Sequence, residues 1–361
     1  MPAYPATEKE ERISYGSLRS LVAAIFTRCG MSERDAGLLA RTLAHADLRG
    51  VHSHGVLRVP EYVKKLQGHV SPKGRPRLVK DSAAALVIDG DNSMGQIGAH
   101  FAMEKAIERA RTTNVAIATV RGSNHCGAMA YYAMQALPHD MIGWAATNAL
   151  PTMAPWGGID KIVGINPLAV AIPAGDEPDI VLDAAFSGSS HGKIRVYQQK
   201  GLSIPPGWAY DVNGKPTTDA GEAIKGLLQP IGGYKGVGLA VVTGVLSSLL
   251  SGASYGDELG NMIDGPKAGH DGHFFLAINI AAFEDPDTFK ARMDSLIRQV
   301  QASRRMEGIE RLYTPGGLEA TTEKNYREQG IPLNNETIDG LRRVAGELSV
   351  GDRIDLEVVK R

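Results

Sequence analysis

The feature that most limits the fold of this chain is a change of apolar period near residue 85. Before it, as over residues 18–26, apolar side chains recur at helical spacing, whereas short apolar runs between polar-ended loops follow it. The runs predict strands over residues 85–89, 115–120, 142–147, 168–172, 180–183 and 273–280. The pattern is that of an α/β fold with its helices concentrated toward the two ends of the chain.

Helix and turn signals complete this pattern. The pair Asn213-Gly214 is typical of a two-residue hairpin turn. Residues 237–250 are apolar nearly all round, which predicts a buried, central helix. The other predicted elements are a helix over 97–111 after a glycine turn, an amphipathic helix over 286–303, and two helices in the tail from Leu318, broken at Gly330 and Pro332.

Size and composition exclude several classes of protein. At 361 residues the chain is long enough for two or three subdomains or one large fold. Its 39 basic and 40 acidic residues are balanced, so we expect neither a nucleic acid nor an anionic membrane as partner. No apolar run is long enough to span a membrane, residues 1–8 lack the pattern of a signal peptide, and only Cys29 and Cys126 occur. These features predict a cytoplasmic protein.

Reactive side chains are concentrated in the segment Arg49-Gly50-Val51-His52-Ser53-His54-Gly55-Val56-Leu57-Arg58. A capping signal at Ser32 and Asp35 and a terminator at Gly50 predict a helix just before it. His52, Ser53 and His54 then lie in a loop, and Arg58 falls in the first turn of the next helix. A guanidinium can grip a carboxylate with two hydrogen bonds while an imidazole moves a proton, so the segment indicates a small organic acid as ligand.

Two other interpretations of this segment stay open. His52 and His54 could be solvated or capping histidines with Arg58 as a surface charge. They could also bind a metal ion, although no cluster of cysteine, aspartate or glutamate stands nearby in the sequence, and we therefore expect no metal.

Glycine-rich loops suggest where an anion could bind. No Gly-x-Gly-x-x-Gly follows a strand, so the usual dinucleotide fingerprint is absent. The run Gly188-Ser189-Ser190-His191-Gly192-Lys193 is not a complete ATP loop, but it lies between a predicted strand and a predicted helix, where free backbone N–H groups attract anions. The segment Gly232-Gly233-Tyr234-Lys235-Gly236 could bind an anion in the same way, with Lys235 just before a predicted helix. The alternative is a glycine turn with a solvated lysine. Gly122-Ser123-Asn124-His125-Cys126-Gly127 adds a histidine, His125, whose role is either chemical or structural.

Together these segments resemble the type 2 malate/L-lactate dehydrogenase family over nearly the whole chain. The motifs that carry the resemblance are Ser53-His54-Gly55 with Arg58, Ser123-Asn124-His125, Ala154-Pro155-Trp156-Gly157-Gly158, Gly164-Ile165-Asn166-Pro167, Gly192-Lys193-Ile194, Pro216-Thr217-Thr218-Asp219, Gly232-Gly233-Tyr234-Lys235-Gly236 and Pro315-Gly316.

The resemblance implies an NAD(P)-dependent enzyme that reversibly oxidises a 2-hydroxy acid to a 2-oxo acid. It implies a homodimer and a non-Rossmann cofactor fold with a mixed, largely antiparallel sheet. We divide the chain into a helical substrate and dimerisation region, residues 1–80 joined by 290–361, and a cofactor-binding α/β domain, residues 81–289. NAD is slightly favoured over NADP, without a decisive sequence feature.

Site roles carried over from the resemblance fall into three groups. His54 is the expected general acid and base, assisted by Ser53. The expected substrate ligands are Arg58, His125, Ile165 and His191. The expected cofactor contacts are His125, Asp183, Ala184, Ala185, Ser187, Ser189, Ser190, Tyr234, Lys235, Arg311, Gly316 and Gly317.

Departures from the family pattern leave the substrate open. Ile165 stands where threonine is common, Cys126 replaces phenylalanine or isoleucine, and Gly317-Leu318-Glu319 departs from the usual ending. Malate, lactate, sulfolactate, ureidoglycolate, diketogulonate and cyclic imino acids all remain possible substrates. The alternatives to a hydroxy acid dehydrogenase are a cyclic imino acid reductase, a metal hydrolase using His52, His54 and His125, and a non-catalytic carboxylate-binding protein.

Overall fold

A computed structural model describes residues 10–259, 270–350 and 356–359 of the chain, and the expectation about residues 1–8 lies outside these ranges. Helices are concentrated toward both ends, as predicted. They are α1 (Tyr15–Arg28), α2 (Glu33–Leu48), α3 (Val59–Gly68), α4 (Gly95–Thr113), α5 (Ala130–Ala133), α6 (His191–Gln199), α7 (Ala220–Lys225), α8 (Tyr234–Gly244), α9 (Pro286–Ala302), α10 (Gly317–Gln329) and α11 (Asn335–Glu347). None of the described helices is both long and apolar enough to cross a membrane.

Most strands lie in the middle of the chain. They are β1 (Glu10–Ile13), β2 (Arg77–Asp81), β3 (Ala85–Asp89), β4 (Val115–Ser123), β5 (Met141–Thr147), β6 (Pro151–Met153), β7 (Val163–Gly164), β8 (Leu168–Ile172), β9 (Ile180–Ala184), β10 (Ala209–Tyr210), β11 (Pro216–Thr217), β12 (Leu227–Leu228), β13 (Asp271–Asn279) and β14 (Ile331–Asn334).

The main sheet has seven strands in the order β2-β3-β4-β13-β5-β8-β9. Only β3 and β4 pair in parallel, connected through α4, while the other neighbours are antiparallel. A doubly wound dinucleotide fold needs a mostly parallel sheet. The expectation of a mixed, largely antiparallel, non-Rossmann sheet is confirmed.

Apolar side chains form three buried clusters. The first joins α1, α2 and α3 to α11 and β14, and is built around Phe26, Leu39 and Tyr62. The second lies against the main sheet under α4 and α5. The third joins α6, α7 and α8 to the short strands between residues 151 and 228, with Trp208 among its members. The functional loops described below come from elements of all three clusters.

One helix differs from its prediction. Residues 237–249 are helical, but α8 begins earlier than predicted, at Tyr234, and continues after Gly244 as a π-helical turn, Val245–Leu249. Its inner side is buried, whereas Leu239, Val242 and Leu249 are 51%, 58% and 60% exposed. The expectation of a buried helix is therefore wrong for the outer face. Apolar residues on all sides of a helix are compatible with burial, but they do not show which other element packs on each side.

The hairpin at Asn213-Gly214 also needs a correction. Strands β10 and β11 pair as predicted, but five residues rather than two connect them, because Tyr210 is paired with Pro216. Gly214 takes a φ of 77° after a turn closed by the bond from its N–H to the carbonyl oxygen of Asp211. The Asp211 carboxylate accepts hydrogen bonds from the N–H groups of Asn213 and Lys215, and so favours the longer turn.

Candidate functional site

The loop after α2 has the conformation that its sequence predicts. Ser32 caps the start of α2 by accepting a bond from the N–H of Asp35, and Gly50 ends the helix with a φ of 77°. The N–H groups of Gly50 and Val51 close the helix end onto the carbonyl oxygens of Asp47 and Ala46. Two short 3-10 turns follow, His52–His54 and Val56–Arg58, and α3 begins directly after them.

A buried carboxylate, Asp47, holds both turns in place. Its Oδ1 lies 2.8 Å from Nδ1 of His52, and its Oδ2 accepts the N–H of Val56 at 2.7 Å. A Cβ on Gly55 would lie 2.1 Å from Oδ1 of Asp47, so only glycine fits there. Burial lowers the pKa of His52, but the hydrogen bond and charge of Asp47 outweigh it and leave the pKa raised.

Sequence reasoning missed Asp47 although a signal was present. The residue lies four positions after Leu43 and eight after Leu39 on the apolar stripe of α2. A carboxylate in such a stripe is costly to bury unless it has partners, and the following loop supplies them.

The predicted acid and base, its assistant and the predicted anchor lie together in this loop. Ser53 Oγ lies 3.0 Å from Nδ1 of His54. Arg58 donates through Nε to the carbonyl oxygen of Ser53 at 2.8 Å and through Nη1 to Glu61 at 2.9 Å. Burial, together with the positive charge of Arg58, lowers the pKa of His54 to about 4. His54 is therefore neutral at pH 7.

His125 faces His54 from a different element. It follows the end of β4, and its ring stacks on that of His54 with centroids 5.8 Å apart and planes 17° apart. Its Nδ1 lies 2.6 Å from the hydroxyl of Tyr62 on α3. Burial lowers the pKa of His125 well below its ordinary value, and the nearby His54 ring and the charge of Arg58 also disfavour its protonation. The structure thus brings two neutral imidazoles together beside one guanidinium.

The start of α6 approaches the same guanidinium. A Cβ on Gly192 would lie 3.7 Å from Nη2 of Arg58, and Ser190 caps the helix by accepting the N–H of Lys193. Ser189 Oγ and His191 Nε2 are buried with no hydrogen-bond partner among the described residues. Burial, with Lys161 and Arg195 nearby, lowers the pKa of His191 to about 4. Unsatisfied donors beside positive charge suit an anionic or polar ligand.

The strand before this loop carries the other predicted contacts. Part of Asp183 is exposed to solvent, but many protein atoms lie close to its carboxylate. Its Oδ2 accepts a hydrogen bond from the N–H of Ala130 at 2.8 Å. This enclosure raises the pKa of Asp183 to about 6. Ala184 and Ala185 follow it, half-buried, and the hydroxyl of Ser187 donates to the carbonyl oxygen of Ser189.

Ile165 has a structural contact in this chain. Its carbonyl oxygen accepts the N–H of Phe186 at 3.1 Å, and its side chain packs against the third apolar cluster. The next residue, Asn166, is buried and ties the N–H of Ala149 to the carbonyl oxygen of Ala240 in α8. The Gly-Ile-Asn-Pro motif therefore links three segments.

The remaining predicted cofactor contacts lie farther along the chain. Tyr234 and Lys235 are exposed at the start of α8, after Gly232 and Gly233 with φ of 59° and 65°. Arg311 is exposed and stacks on Tyr313 at 5.1 Å. Gly316 and Gly317 begin α10, where Val181 donates to the carbonyl oxygen of Pro315. No hydrogen bond, ion pair or ring contact in the described residues joins Tyr234, Lys235 or Arg311 to His54 or Arg58.

The arrangement has the properties of an enzyme site for a small anion. Arg58 and the start of α6 supply positive potential, and the two neutral imidazoles can donate or accept protons at one atom of a ligand. Across the described residues, no group of three or more histidine, cysteine, aspartate or glutamate side chains could hold a metal ion. The fold and the site define an α/β protein with two imidazoles and a guanidinium grouped as in acid–base enzymes.

Comparison with known proteins identifies the family. The family model described as malate/L-lactate dehydrogenase matches residues 13–342. A malate dehydrogenase of Pyrococcus abyssi is 37% identical over 352 residues, which is 95% of this chain and 96% of the relative. An L-sulfolactate dehydrogenase of Methanocaldococcus jannaschii is 37% identical over 333 residues, 92% of this chain and 96% of the relative. A malate dehydrogenase structure from Entamoeba histolytica superposes with a TM-score of 0.91 at 29% identity, covering 96% of this chain and all of that one.

The chain belongs to the malate/L-lactate dehydrogenase family, as the motifs predicted. It is an oxidoreductase of the hydroxy acid dehydrogenase type, and membership implies a nicotinamide cofactor. The cyclic imino acid reductase and the metal hydrolase are not favoured.

Proposed function

We propose that this protein interconverts a small 2-hydroxy acid of the malate or lactate kind and its 2-oxo acid, with NAD favoured over NADP. The observation that carries the proposal is the single loop that presents His54, Ser53 and Arg58 to one side of His125. A carboxylate next to the reacting carbon would pair with the guanidinium of Arg58. The oxygen at C2 would then lie beside the imidazoles.

The residues present fit a dinucleotide. Ser189 Oγ is a buried hydroxyl without a partner in the described part of the chain, and Gly232 and Gly233 lead with positive φ into the start of α8 beside Lys235. Such groups suit phosphate oxygens and hydroxyls. A bound nicotinamide would supply or accept a hydride at C2 of the substrate.

The side chains of this protein would do the remaining work. Arg58 orients the acid through its planar guanidinium, which Ser53 and Glu61 hold from behind. His54 exchanges a proton with the oxygen at C2, and Ser53 holds its Nδ1 side. Once the substrate carboxylate pairs with Arg58, the positive charge that depresses the pKa of His54 is offset, so the imidazole gains proton affinity when it is needed.

We further propose a cytoplasmic homodimer. Both cysteines, Cys29 and Cys126, are free thiols, as a reducing compartment favours. The exposed apolar face of α8 and of the π-helical turn after it, namely Leu239, Val242 and Leu249, is the surface we assign to the second copy. Tyr234 and Lys235 lie at the start of the same helix, so dimerisation would stabilise the segment that we propose to contact the cofactor.

The first test is a substrate screen with a matched pair of variants. Oxaloacetate, pyruvate and other 2-oxo acids, and a cyclic imino acid, are offered with NADH or NADPH while the absorbance of the reduced nicotinamide is followed. We expect turnover of a 2-oxo acid, and a loss of about 10² to 10⁴-fold in kcat for His54→Ala, the usual contribution of one general acid or base.

The control variant is His69→Ala, at an exposed histidine outside the loop, which should keep its turnover. Near-normal kcat in His54→Ala would remove His54 from the chemistry. Turnover of the cyclic imino acid but of no 2-oxo acid would contradict the proposed dehydrogenase and support a cyclic imino acid reductase instead.

A further inference from the structure

Two buried polar side chains, Gln96 and Tyr62, form a hydrogen-bonded series that ends at His125. Gln96, at the start of α4, donates from Nε2 to the hydroxyl oxygen of Tyr62 at 3.1 Å, and that hydroxyl lies 2.6 Å from Nδ1 of His125. Gln96 and Tyr62 are both 0% exposed. Neither residue was singled out by sequence reasoning, because Tyr62 continues the apolar stripe of α3 and Gln96 directly follows the glycine turn.

The hydrogen atoms in this series have one consistent arrangement. An amide nitrogen only donates, so the Tyr62 oxygen accepts from Gln96, and the one acceptor that the described residues offer to the buried phenol hydrogen is Nδ1 of His125. Burial raises the pKa of Tyr62, which keeps the phenol protonated, and the neutral imidazole of His125 has one nitrogen without hydrogen to accept it. The ring proton of His125 is then on Nε2.

The protonated nitrogen is on the open side of the ring. Nε2 lies across the imidazole from Tyr62 and makes no hydrogen bond to any residue in the described ranges, and His125 as a whole is half-buried. The neighbouring ring is that of His54, the residue expected to exchange the proton. The two histidines have different hydrogen-bond partners at Nδ1. The partner of His54 is the hydroxyl of Ser53, and that of His125 is the phenol of Tyr62.

We propose that Tyr62, held by Gln96, is a positioning residue that fixes His125 with its proton on Nε2, so that His125 donates a hydrogen bond to the oxygen at C2 of the substrate. The inference rests on the proposed function for the identity of that oxygen. It assigns different tasks to the two imidazoles: His125 polarises the carbonyl oxygen and stabilises the negative charge that develops there, while His54 transfers the proton.

The state of His125 can be measured without turnover. In protein labelled with 15N at histidine, the imidazole signals of His125 are assigned by their loss in His125→Gln. We expect a protonated, pyrrole-type Nε2 and an unprotonated, pyridine-type Nδ1 at pH 7. A protonated Nδ1 would overturn the proposal, whatever the substrate proves to be.

The variant Tyr62→Phe removes only the hydroxyl. Nδ1 of His125 then has no partner, so its 15N signal should move and the ring should lose its fixed orientation. We expect kcat to fall about 10 to 100-fold, part of the loss expected when one oxyanion donor is removed, with KM for the 2-oxo acid within about threefold.

The matched control is Tyr132→Phe. Tyr132 is also fully buried, and its hydroxyl donates to the backbone carbonyl of Cys126, beside His125 but not to it. This control loses a buried hydrogen bond of the same kind and should keep its kcat within about threefold. A folded Tyr62→Phe variant with the parent kcat and an unmoved Nδ1 signal would refute the role of Tyr62. If the parent reduced no 2-oxo acid at all, the proposed function would fail, while the 15N measurement would still decide the state of His125.

Discussion

At the scale of single residues, the guanidinium of Arg58 is the group that we propose to bind the substrate carboxylate. Its Nε and Nη1 are used by the carbonyl oxygen of Ser53 and by Glu61, and its Nη2 is directed to the start of α6. A planar fork can meet these partners and a carboxylate together, whereas a lysine ammonium is a point charge. The charge and the geometry of this position can therefore be separated by one substitution.

Arg58→Lys keeps the charge and loses the geometry. We expect kcat/KM for the acid substrate to fall, with a loss of transition-state stabilisation of about 1.5–3 kcal/mol, the value of a hydrogen bond to a charged group. The affinity for the nicotinamide cofactor should be unchanged. Steady-state kinetics and a fluorescence titration with NADH measure the two quantities. The parent enzyme offered the amide of its best substrate is the control, since it lacks the carboxylate. Equal rates on acid and amide, or a fully active lysine variant, would contradict the anchor.

Sequence reasoning found the residues of the site that stand in loops and missed those on helix faces. Ser53, His54, Arg58 and His125 lie in or beside turns, where polar side chains need a reason to cluster. Asp47, Tyr62 and Gln96 lie in helices, and their roles depend on which partners the fold brings to them. Helical period predicts which face is buried, but it does not predict a polar contact across two elements.

At the scale of elements, strong local patterns were sufficient for most of the fold. Strands β3 and β8 have the predicted limits, and α9 ends one residue before its predicted end. The short helix α5 and the 3-10 segment Met134–His139 were not predicted, because one turn of helix interrupted by Pro138 carries no period. The pairing order of the sheet also depends on long-range contacts that a local pattern does not contain.

One such long-range contact fixes the turn between β8 and β9. Asp294 in α9 is buried and accepts hydrogen bonds from the N–H groups of Gly175, Asp176 and Glu177 at 2.9, 2.9 and 3.1 Å. These bonds, that of Asp176 first, hold the pKa of Asp294 below its ordinary value of 3.8. A lowered carboxyl pKa contributes stability above 3.8, and this contribution is lost as the pH falls through the lowered value.

Asp294→Asn should therefore lower the thermal midpoint of unfolding at pH 7 by more than at acidic pH. The deficit relative to the parent should shrink as the pH falls below about 3.8, because the parent carboxylate then becomes protonated. Differential scanning fluorimetry across a pH series measures this difference. Asp287→Asn, at an exposed position of the same helix, is the control. A deficit that is the same at every pH would show that the carboxylate charge does not stabilise the turn.

At the scale of the whole molecule, the site lies where the three apolar clusters meet. Tyr62 belongs to the first cluster, His125 follows a strand of the second, and the start of α6 leads into the third through Ile194. Small movements between these clusters would change the distances among Arg58, His125 and His191. The division into residues 1–80 with 290–361 and residues 81–289 stays a prediction.

The proposed dimer surface can be tested by one charge. Val242→Asp places a carboxylate on the outer face of α8, where Val242 is 58% exposed, and desolvating that charge against a second copy would be unfavourable. By light scattering, we expect the parent to have the mass of two chains and the Val242→Asp variant the mass of one. The variant should also bind NADH more weakly, because Tyr234 and Lys235, the proposed cofactor contacts, begin the same helix. Val212→Asp, 53% exposed at the tip of the β10–β11 hairpin, adds the same charge elsewhere and should stay dimeric. A dimeric Val242→Asp variant would place the partner on another surface, and a monomeric parent would leave the apolar face of α8 without the occupant that we assign to it.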